Sequence, residues 1–469
     1  MIVSACIGRL ISAFTRSDKA SASERVLIDT SVGLGVVSIV LFALSACQVL
    51  RVTWGVSAAV IFVALGSIKL PGVLSDVAHL VRQSLKRSDR SVLSWLTIAL
   101  LAILAVSALI PALAPPSMAD WDSLAYHLAV PKMYLEHGGF YYINFVSHSN
   151  FPYLMEMLYL PGLALNQPAA SKMMHYWTGV LLVMAIVVLV RSHLNAKAAP
   201  IAAIAVAGMP IVLWEATTAY VDLATALYTV LAVHLLLTYF DTYDRRHLIG
   251  CGFAAGFAAS TKMTGLTVIL LIVVWLILER LAAERTFPWR SALTLLGVSL
   301  LVCSPWYVKS AVYTGNPVYP FFYSIFDGKD WTRQLAENYA MLQQRFGTGH
   351  TPASFLMLPF DLTFRPDAFY DTPGLYVGPL FLISLPLLAL GKYRSRKHLG
   401  LLLFFLAQLA IWFRLSQQSR YLIPAFAILG ILASELINSD DRFPIAKRVF
   451  IGAVIVTAFF GILTMIPPV

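Results

Sequence analysis

The sequence predicts an all-α polytopic membrane protein of about 13 transmembrane helices, with interfacial helices in two long loops on one face. Three observations carry that prediction. The 469 residues are 59% hydrophobic and only 12% Asp, Glu, Lys and Arg, roughly half the charged fraction of a soluble globular domain. The apolar residues come in runs of spanning length. Most of the 34 Lys and Arg fall in alternate connections between those runs.

A spanning helix needs roughly 20 apolar residues, fewer where neighbours bury it. Spans accordingly lie near 27–48, 54–72, 93–114, 173–190, 199–214, 219–239, 249–260, 263–279, 291–306, 374–391, 399–413, 421–438 and 449–466. The Gly/Ala-rich string "GCGFAAGFAASTKMTGL" supplies the seventh and eighth as a tightly packed hairpin with Lys262 at its tip. With the N-terminus in the cytoplasm, the inner connections hold Arg9, Arg16, Lys19 and Arg25, then Lys69, Arg82, Lys86, Arg87 and Arg90, and later Lys392, Arg394, Arg396 and Lys397. Basic residues concentrated on one side set orientation. They also explain the net charge of +10 without nucleic acid. The four cysteines, Cys6, Cys47, Cys251 and Cys303, show no paired or metal-type spacing and read as inert core thiols. Near the N-terminus there is no long apolar core with a cleavage signature, so a removable signal peptide is not expected. Residues 1–92 form a cytoplasmic tail with two additional helices, 93–438 the main membrane domain, and 439–469 a C-terminal transmembrane helix.

This topology puts both long hydrophilic segments, 115–172 and 307–373, on the non-cytoplasmic face. Long loops in a compact protein usually carry function. Tyrosines and phenylalanines crowd them, apolar body inward and hydroxyl outward, as suits a membrane boundary. The stretch "LAYHLAVPKMYLEHG" is expected to form an amphipathic helix lying flat on the bilayer; a simple interfacial collar is the plainer reading.

Three groups of residues carry chemistry. Asp120 and Asp122 sit together at a hydrocarbon boundary, where desolvation raises a carboxylate pKa and a neighbouring cation lowers it. They suit a general base or a metal seat, or simply a helix cap. Glu215 and Asp222, in "WEATTAYVDLATALY", stand at the outer ends of the fifth and sixth spans, and Glu156 at the start of the fourth. Acids there are costly and usually functional or paired. Cations on the same face are Lys262, Lys309, Arg365, Arg414 and Arg420. They suit one lipid-borne phosphate or headgroups in general. The histidines, among them His127, His137, His148, His175 and His350, lack metal-ligand spacing, and no P-loop or dinucleotide fingerprint occurs.

The strings "WDSLAYHLAVPKMYL", "AYVDLATALY", "GFAASTKMTGL", "SPWYVKSAVYTGNPVYPF" and "SRYLIPA", in that order, resemble the bacterial C-type (GT-C) glycosyltransferases. The nearest subgroup is similar to the rhizobial lipopolysaccharide galacturonosyltransferases. Lipid A aminoarabinose transferases and protein O-mannosyltransferases are more distant. The likeness covers about 93–425, leaving the first two spans as an N-terminal addition. It implies a polyprenyl-phosphate-linked sugar donor and a catalytic Asp in the first outer loop. The family's Asp-Glu-x-x-aromatic pattern falls on Asp122 and Tyr126, with Ser123 standing where the family has Glu; Asp120 or Glu156 are the acids available to replace it. Asp222 matches the later acidic position. Lys262 and Arg420 match basic positions at the lipid phosphate, with Arg414, Arg365, Tyr126 and His127 as further donor-binding candidates. The resemblance does not fix a cofactor; Asp122 and Asp222 are where a divalent metal (Mg, Mn or Zn) would sit. The acceptor would be a glycolipid, glycan or protein hydroxyl, at the outer side of a bacterial inner membrane. A transporter or lipid flippase shares the Gly-rich hairpin and intramembrane acids. It lacks a counterpart interrupted span in the other half.

Overall fold

A computed structural model describes residues 1–17, 19–50, 61, 63–86, 92–370, 377–390, 395–439 and 444–466. Among them there are helices and turns and no strand, as a bilayer requires of a chain that is not a closed barrel. Among the described residues, eight helices are long and apolar enough to cross a membrane: Ala22–Ala46, Ser94–Ala112, Pro168–His193, Asp222–Thr242, Gly265–Glu284, Trp289–Thr314, Arg396–Arg414 and Pro444–Thr464. The protein is a multi-pass membrane protein.

The remaining expected spans differ. The one near 199–214 is broken into Ala199–Ala207 and Pro210–Glu215, because Gly208 and Pro210 bracket a residue in extended conformation, Met209. Those near 249–260 and 421–438 become 17-residue helices, Arg245–Thr261 and Ile423–Ser439. Those near 54–72 and 374–391 fall partly outside the described residues. Two further helices were not expected, Ile2–Leu10 and Leu70–Lys86. Trp289–Thr314 runs well beyond its expected end at 306.

Asp222–Thr242 is the axis of the bundle, with 89% of its apolar window buried, against 17% for the peripheral Ser94–Ala112. Lipid tails are as apolar as leucine, so helix association in a bilayer rests on close packing instead. The Gly/Ala stripe of Arg245–Thr261 provides it. A Cβ on Gly256 would meet Val302 Cβ at 2.7 Å and Ser299 O at 2.8 Å, so only glycine lets this helix approach Trp289–Thr314 so closely.

Ala22–Ala46 opens with a capping box between Ser21 and Glu24 and passes through the core. Tyr228 Oη donates to Ser31 O at 2.9 Å, and Ser38 Oγ donates to Leu154 O at 2.8 Å. At one end of the bundle, Asp29 accepts from Arg9 Nε at 2.7 Å and Arg16 Nε at 2.9 Å. Asp76 of Leu70–Lys86 binds Arg9 and Arg25 in the same cluster. At the other end, Phe140 N donates to Ser45 O at 2.9 Å, tying the helix to the first long loop. That loop holds Ala129–His137 and Leu154–Ala164, and the second holds Arg333–Gln344 and Pro352–Phe364.

Candidate active site

Asp122 precedes a turn, Ser123–His127, whose closing bond runs from Leu128 N to Ser123 O at 3.0 Å. This i→i+5 pattern is a π-turn, a rare device that concentrates at functional sites. It carries residues four and five positions on back over the first, so Tyr126 and His127 share a side with Asp122. Asp122 does not cap the helix, since its side chain makes no capping bond. Instead its Oδ2 accepts from Tyr126 Oη at 3.1 Å and from Arg420 Nη2 at 2.5 Å.

Arg420 comes from the turn Ser419–Leu422, which follows Arg396–Arg414. Tyr220, Tyr421 and Tyr370 enclose its guanidinium, with ring centroids 4.8, 5.2 and 5.8 Å away, and Gln418 Oε1 accepts from its Nε at 3.0 Å. Nη1 lies 3.9 Å from Asp222 Oδ2. Asp222 Oδ1 accepts from Lys262 Nζ at 2.8 Å, and Lys262 stands 3.5 Å above the Tyr421 ring. Charges therefore alternate along one line, Asp122, Arg420, Asp222, Lys262, buried at Arg420 and Asp222 and partly exposed at Asp122 and Lys262.

Local structure explains each placement. Asp222 is the first residue of Asp222–Thr242, where free backbone amides favour a carboxylate. Lys262 ends Arg245–Thr261 in extended conformation, which turns its side chain out of the hairpin tip. A short turn, 216–221, joins the two halves of the line. Ser123 Oγ accepts from Ala219 N at 3.0 Å, and Tyr220 Oη accepts from Asp122 N at 3.1 Å. His175 Nδ1 donates to Thr218 O and its Nε2 accepts from Leu223 N, both at 3.2 Å.

Burial by itself would raise the Asp122 carboxyl, but the Arg420 charge beside it prevails and holds it well below the usual carboxylate range. Burial works against the Arg420 guanidinium too. The Asp122 carboxylate more than offsets it, and Arg420 stays charged. Burial, reinforced by the Asp122 charge, pushes the Tyr126 phenol upward, so that hydroxyl keeps its proton and donates.

The other candidates sort plainly. Asp120 turns away from Asp122: it accepts from Ser117 N and Oγ at 3.4 and 3.3 Å and lies 3.6 Å from Lys172 Nζ, a turn-and-clamp arrangement. Glu156 Oε1 lies 2.7 Å from His127 Nδ1, in a buried pair. Glu215 is fully buried with neither oxygen hydrogen-bonded. Arg365 is largely exposed and reaches only Asp361, at 3.6 Å, while Arg414 is exposed at the end of its helix; neither joins the line. Lys309 is buried, donates to Ser149 O at 2.7 Å and sits among Phe140, Tyr153, Tyr134 and Trp306 rings. Residues missed in the sequence are Tyr220, Tyr370, Gln418 and Tyr421, while Ser123 and His175 were named there without these roles. Tyr220 and Tyr421 stand beside Asp222 and Arg420 in the chain, and that adjacency was the available signal.

Side-chain cations surround the place that a divalent metal would take between Asp122 and Asp222, while Asp222 Oδ2 is buried without a hydrogen-bond partner. The Arg420 guanidinium fills the place between the two carboxylates, and Lys262 takes the free side of Asp222. Among the described residues, no group of three or more His, Cys, Asp or Glu is arranged to hold a metal ion.

The model of a family described as a domain of unknown function (DUF8201) matches residues 164–427, more than half of the chain. The chain belongs to the DUF8201 family. The matched region of the DUF8201 chain contains Asp222, Lys262 and Arg420 and begins after Asp122. No curated protein matches it in sequence. Among solved structures, it is similar to ArnT from Cupriavidus metallidurans bound to undecaprenyl phosphate, at 20% identity and TM-score 0.55, over 78% of this chain and 64% of that one. It is also similar to the apo oligosaccharyltransferase of Archaeoglobus fulgidus, at 13% identity and TM-score 0.50, over 79% of this chain and 56% of that one. The DUF8201 chain thus spans less than two thirds of either protein. Both are members of the GT-C superfamily, ArnT being a lipid A aminoarabinose transferase, and the fold is the GT-C membrane fold.

Proposed function

We propose that this protein is a membrane glycosyltransferase. It moves a monosaccharide from a polyprenyl-phosphate-linked donor to an acceptor hydroxyl at the periplasmic face of the inner membrane. The observation that carries this reading is the line Asp122–Arg420–Asp222–Lys262 at the end of the bundle that holds both long loops. It combines a carboxylate kept ionised with two cations, Arg420 and Lys262, of the kind that suits a lipid phosphate. ArnT's capture with undecaprenyl phosphate on the same fold supports a lipid-phosphate donor. The acceptor is a glycolipid, lipopolysaccharide, polysaccharide or protein hydroxyl of the cell envelope.

Topology restricts the donor independently. Soluble nucleotide sugars are made in the cytoplasm, whereas a lipid-borne sugar is already anchored at the right depth. Held by its tail, its head arrives oriented, which turns an encounter into a positioned reaction. The step is a single displacement with inversion. The acceptor oxygen attacks the anomeric carbon, Asp122 takes its proton as a general base, and the polyprenyl phosphate leaves. Arg420 and Lys262 stabilise the charge that grows on it. Because Arg420 also binds Asp122, a phosphate that draws on Arg420 loosens its hold on Asp122 and makes that carboxylate a better base.

The test is purified protein in detergent with a panel of radiolabelled undecaprenyl-phosphate sugars. A transferase releases undecaprenyl phosphate, whereas a flippase leaves the donor intact. Asp122→Asn should lower release by at least two to three orders of magnitude while binding undecaprenyl phosphate normally. Wild-type turnover in that variant would remove Asp122 as the base.

A further inference from the structure

Beside the charge line stands a buried titratable pair that it does not use. His127 is 3% and Glu156 1% exposed, and His127 Nδ1 lies 2.7 Å from Glu156 Oε1. Glu156 Oε2 is enclosed and unpartnered. His127 is fixed on the Asp122 side of the π-turn, with the Tyr126 and Tyr220 rings 4.1 and 5.4 Å from its own. Asp122, Arg420, Lys262 and Asp222 all act on the imidazole, and Lys309, Lys262 and Asp222 act on the carboxyl. Burial outweighs them on both partners: it holds the imidazole well below its ordinary range and lifts the carboxyl well above its own. Both directions favour a pair without net charge. In that state one proton is shared between Oε1 and Nδ1 across their 2.7 Å contact and the other is on Nε2, because the bond at one ring nitrogen sets the tautomer at the other.

We infer that His127, locked by Glu156, is the general acid that protonates the departing polyprenyl phosphate. The inference rests on the proposed transfer with Asp122 as base, and it closes that reaction's proton balance. The bond between the anomeric carbon and the phosphate oxygen breaks as the bond to the acceptor oxygen forms. The hydroxyl proton goes to Asp122. The Nε2 proton passes to the phosphate, and the Glu156 proton moves to Nδ1, so the imidazole stays neutral throughout and Glu156 is left as a carboxylate. The proton on Asp122 then returns to Nε2, and Nδ1 gives its own back to Glu156. One proton has moved from acceptor to leaving group, with none drawn from water. The net donor is the Glu156 carboxyl. Burial lifts it well above the ordinary carboxyl range, which narrows the gap to the departing phosphate that the transfer must cross.

The test compares Glu156→Gln and His127→Ala with wild type in detergent, using radiolabelled undecaprenyl-phosphate sugars with membranes of a deletion strain as acceptor source. Both variants should lose about 10²-fold or more in kcat, while undecaprenyl phosphate alone binds as in wild type. Wild type should show an alkaline limb in its pH–rate profile that Glu156→Gln lacks, and imidazole buffer should partly restore His127→Ala. Infrared spectra of wild type at neutral pH should contain the carbonyl stretch of a buried protonated acid that Glu156→Gln removes. If His127→Ala does not fold, Glu156→Gln decides alone through rate, pH limb and infrared band. Full turnover in the variants, absence of that band in wild type, or loss of activity that tracks loss of undecaprenyl phosphate binding overturns the inference. The last result would return His127 to a phosphate-binding role. Wild-type turnover by Asp122→Asn is a different failure, since it removes the base on which the relay depends.

Discussion

At the scale of single residues, Arg420 decides how Asp122 behaves. The two stand 298 positions apart in the chain, so the sequence displayed both as candidates but not their contact. The neighbouring pair Asp120 and Asp122 taught the opposite lesson. Two positions apart around a turn, their side chains diverge, and Asp120 serves Ser117 and Lys172 instead. Arg420→Lys is the informative change, because a lysine is a point charge and cannot replace a planar fork held between carboxylates. Transfer should fall by about 10²–10³-fold. The pH dependence should change as well. With Arg420 present, Asp122 stays ionised far into acid. Its ion pair supports folding at every pH above the unfolded value of about 3.9 and is lost only as pH falls through the depressed folded value. A lysine keeps one charge but not the fork that holds both carboxylates, so Asp122 is held less strongly, its carboxyl rises, and the acid limb of the rate profile should move to higher pH. A pH–rate profile identical to wild type would show that Arg420 does not control this base.

At the scale of elements, the Lys262 hairpin was legible because its Gly/Ala composition admits one kind of packing. The turn 216–221 was not. Its role comes from hydrogen bonds to Ser123, Tyr159 and His175, none of which is near it in the chain. Ser123 has a physical role of its own: the position is fully buried, and its hydroxyl accepts from the Ala219 amide. Ser123→Ala leaves that amide unpaired and should cost about 1–3 kcal/mol, read as a lower unfolding temperature in detergent. Gly265→Ala tests the hairpin. An added Cβ would lie 2.2 Å from the Ala258 backbone, so the tip must open and Lys262 must leave Asp222. Transfer and thermal stability should fall together. At the opposite end of the bundle, Asp29→Asn strips the shared carboxylate from Arg9 and Arg16. Breaking such a buried pair costs about 3–5 kcal/mol, and an unchanged unfolding temperature would show the clamp to be idle.

At the scale of the whole molecule, composition revealed the helical class because apolar runs and charge asymmetry are summed over the entire chain. Span count was less legible, since a buried helix can be short: the broken 199–214 segment and the 17-residue Arg245–Thr261 are shielded by protein rather than lipid. Orientation is the remaining global property, and the chain carries its own reporter. Of the four cysteines that the sequence suggested were core thiols, Cys6, Cys251 and Cys303 are buried, but Cys47, just past the end of its helix, is exposed. Cys47 follows Ala22–Ala46 at the end that bonds Phe140 through Ser45, the same end as Asp122, while Arg9, Arg16 and Arg25 gather at the other. A membrane-impermeant maleimide added to intact spheroplasts should therefore modify the wild-type protein, and Cys47→Ser should abolish the modification. Labelling that appears only after the membrane is permeabilised would place Asp122 in the cytoplasm, among soluble nucleotide sugars. The positional argument for a lipid-carried donor would then be lost.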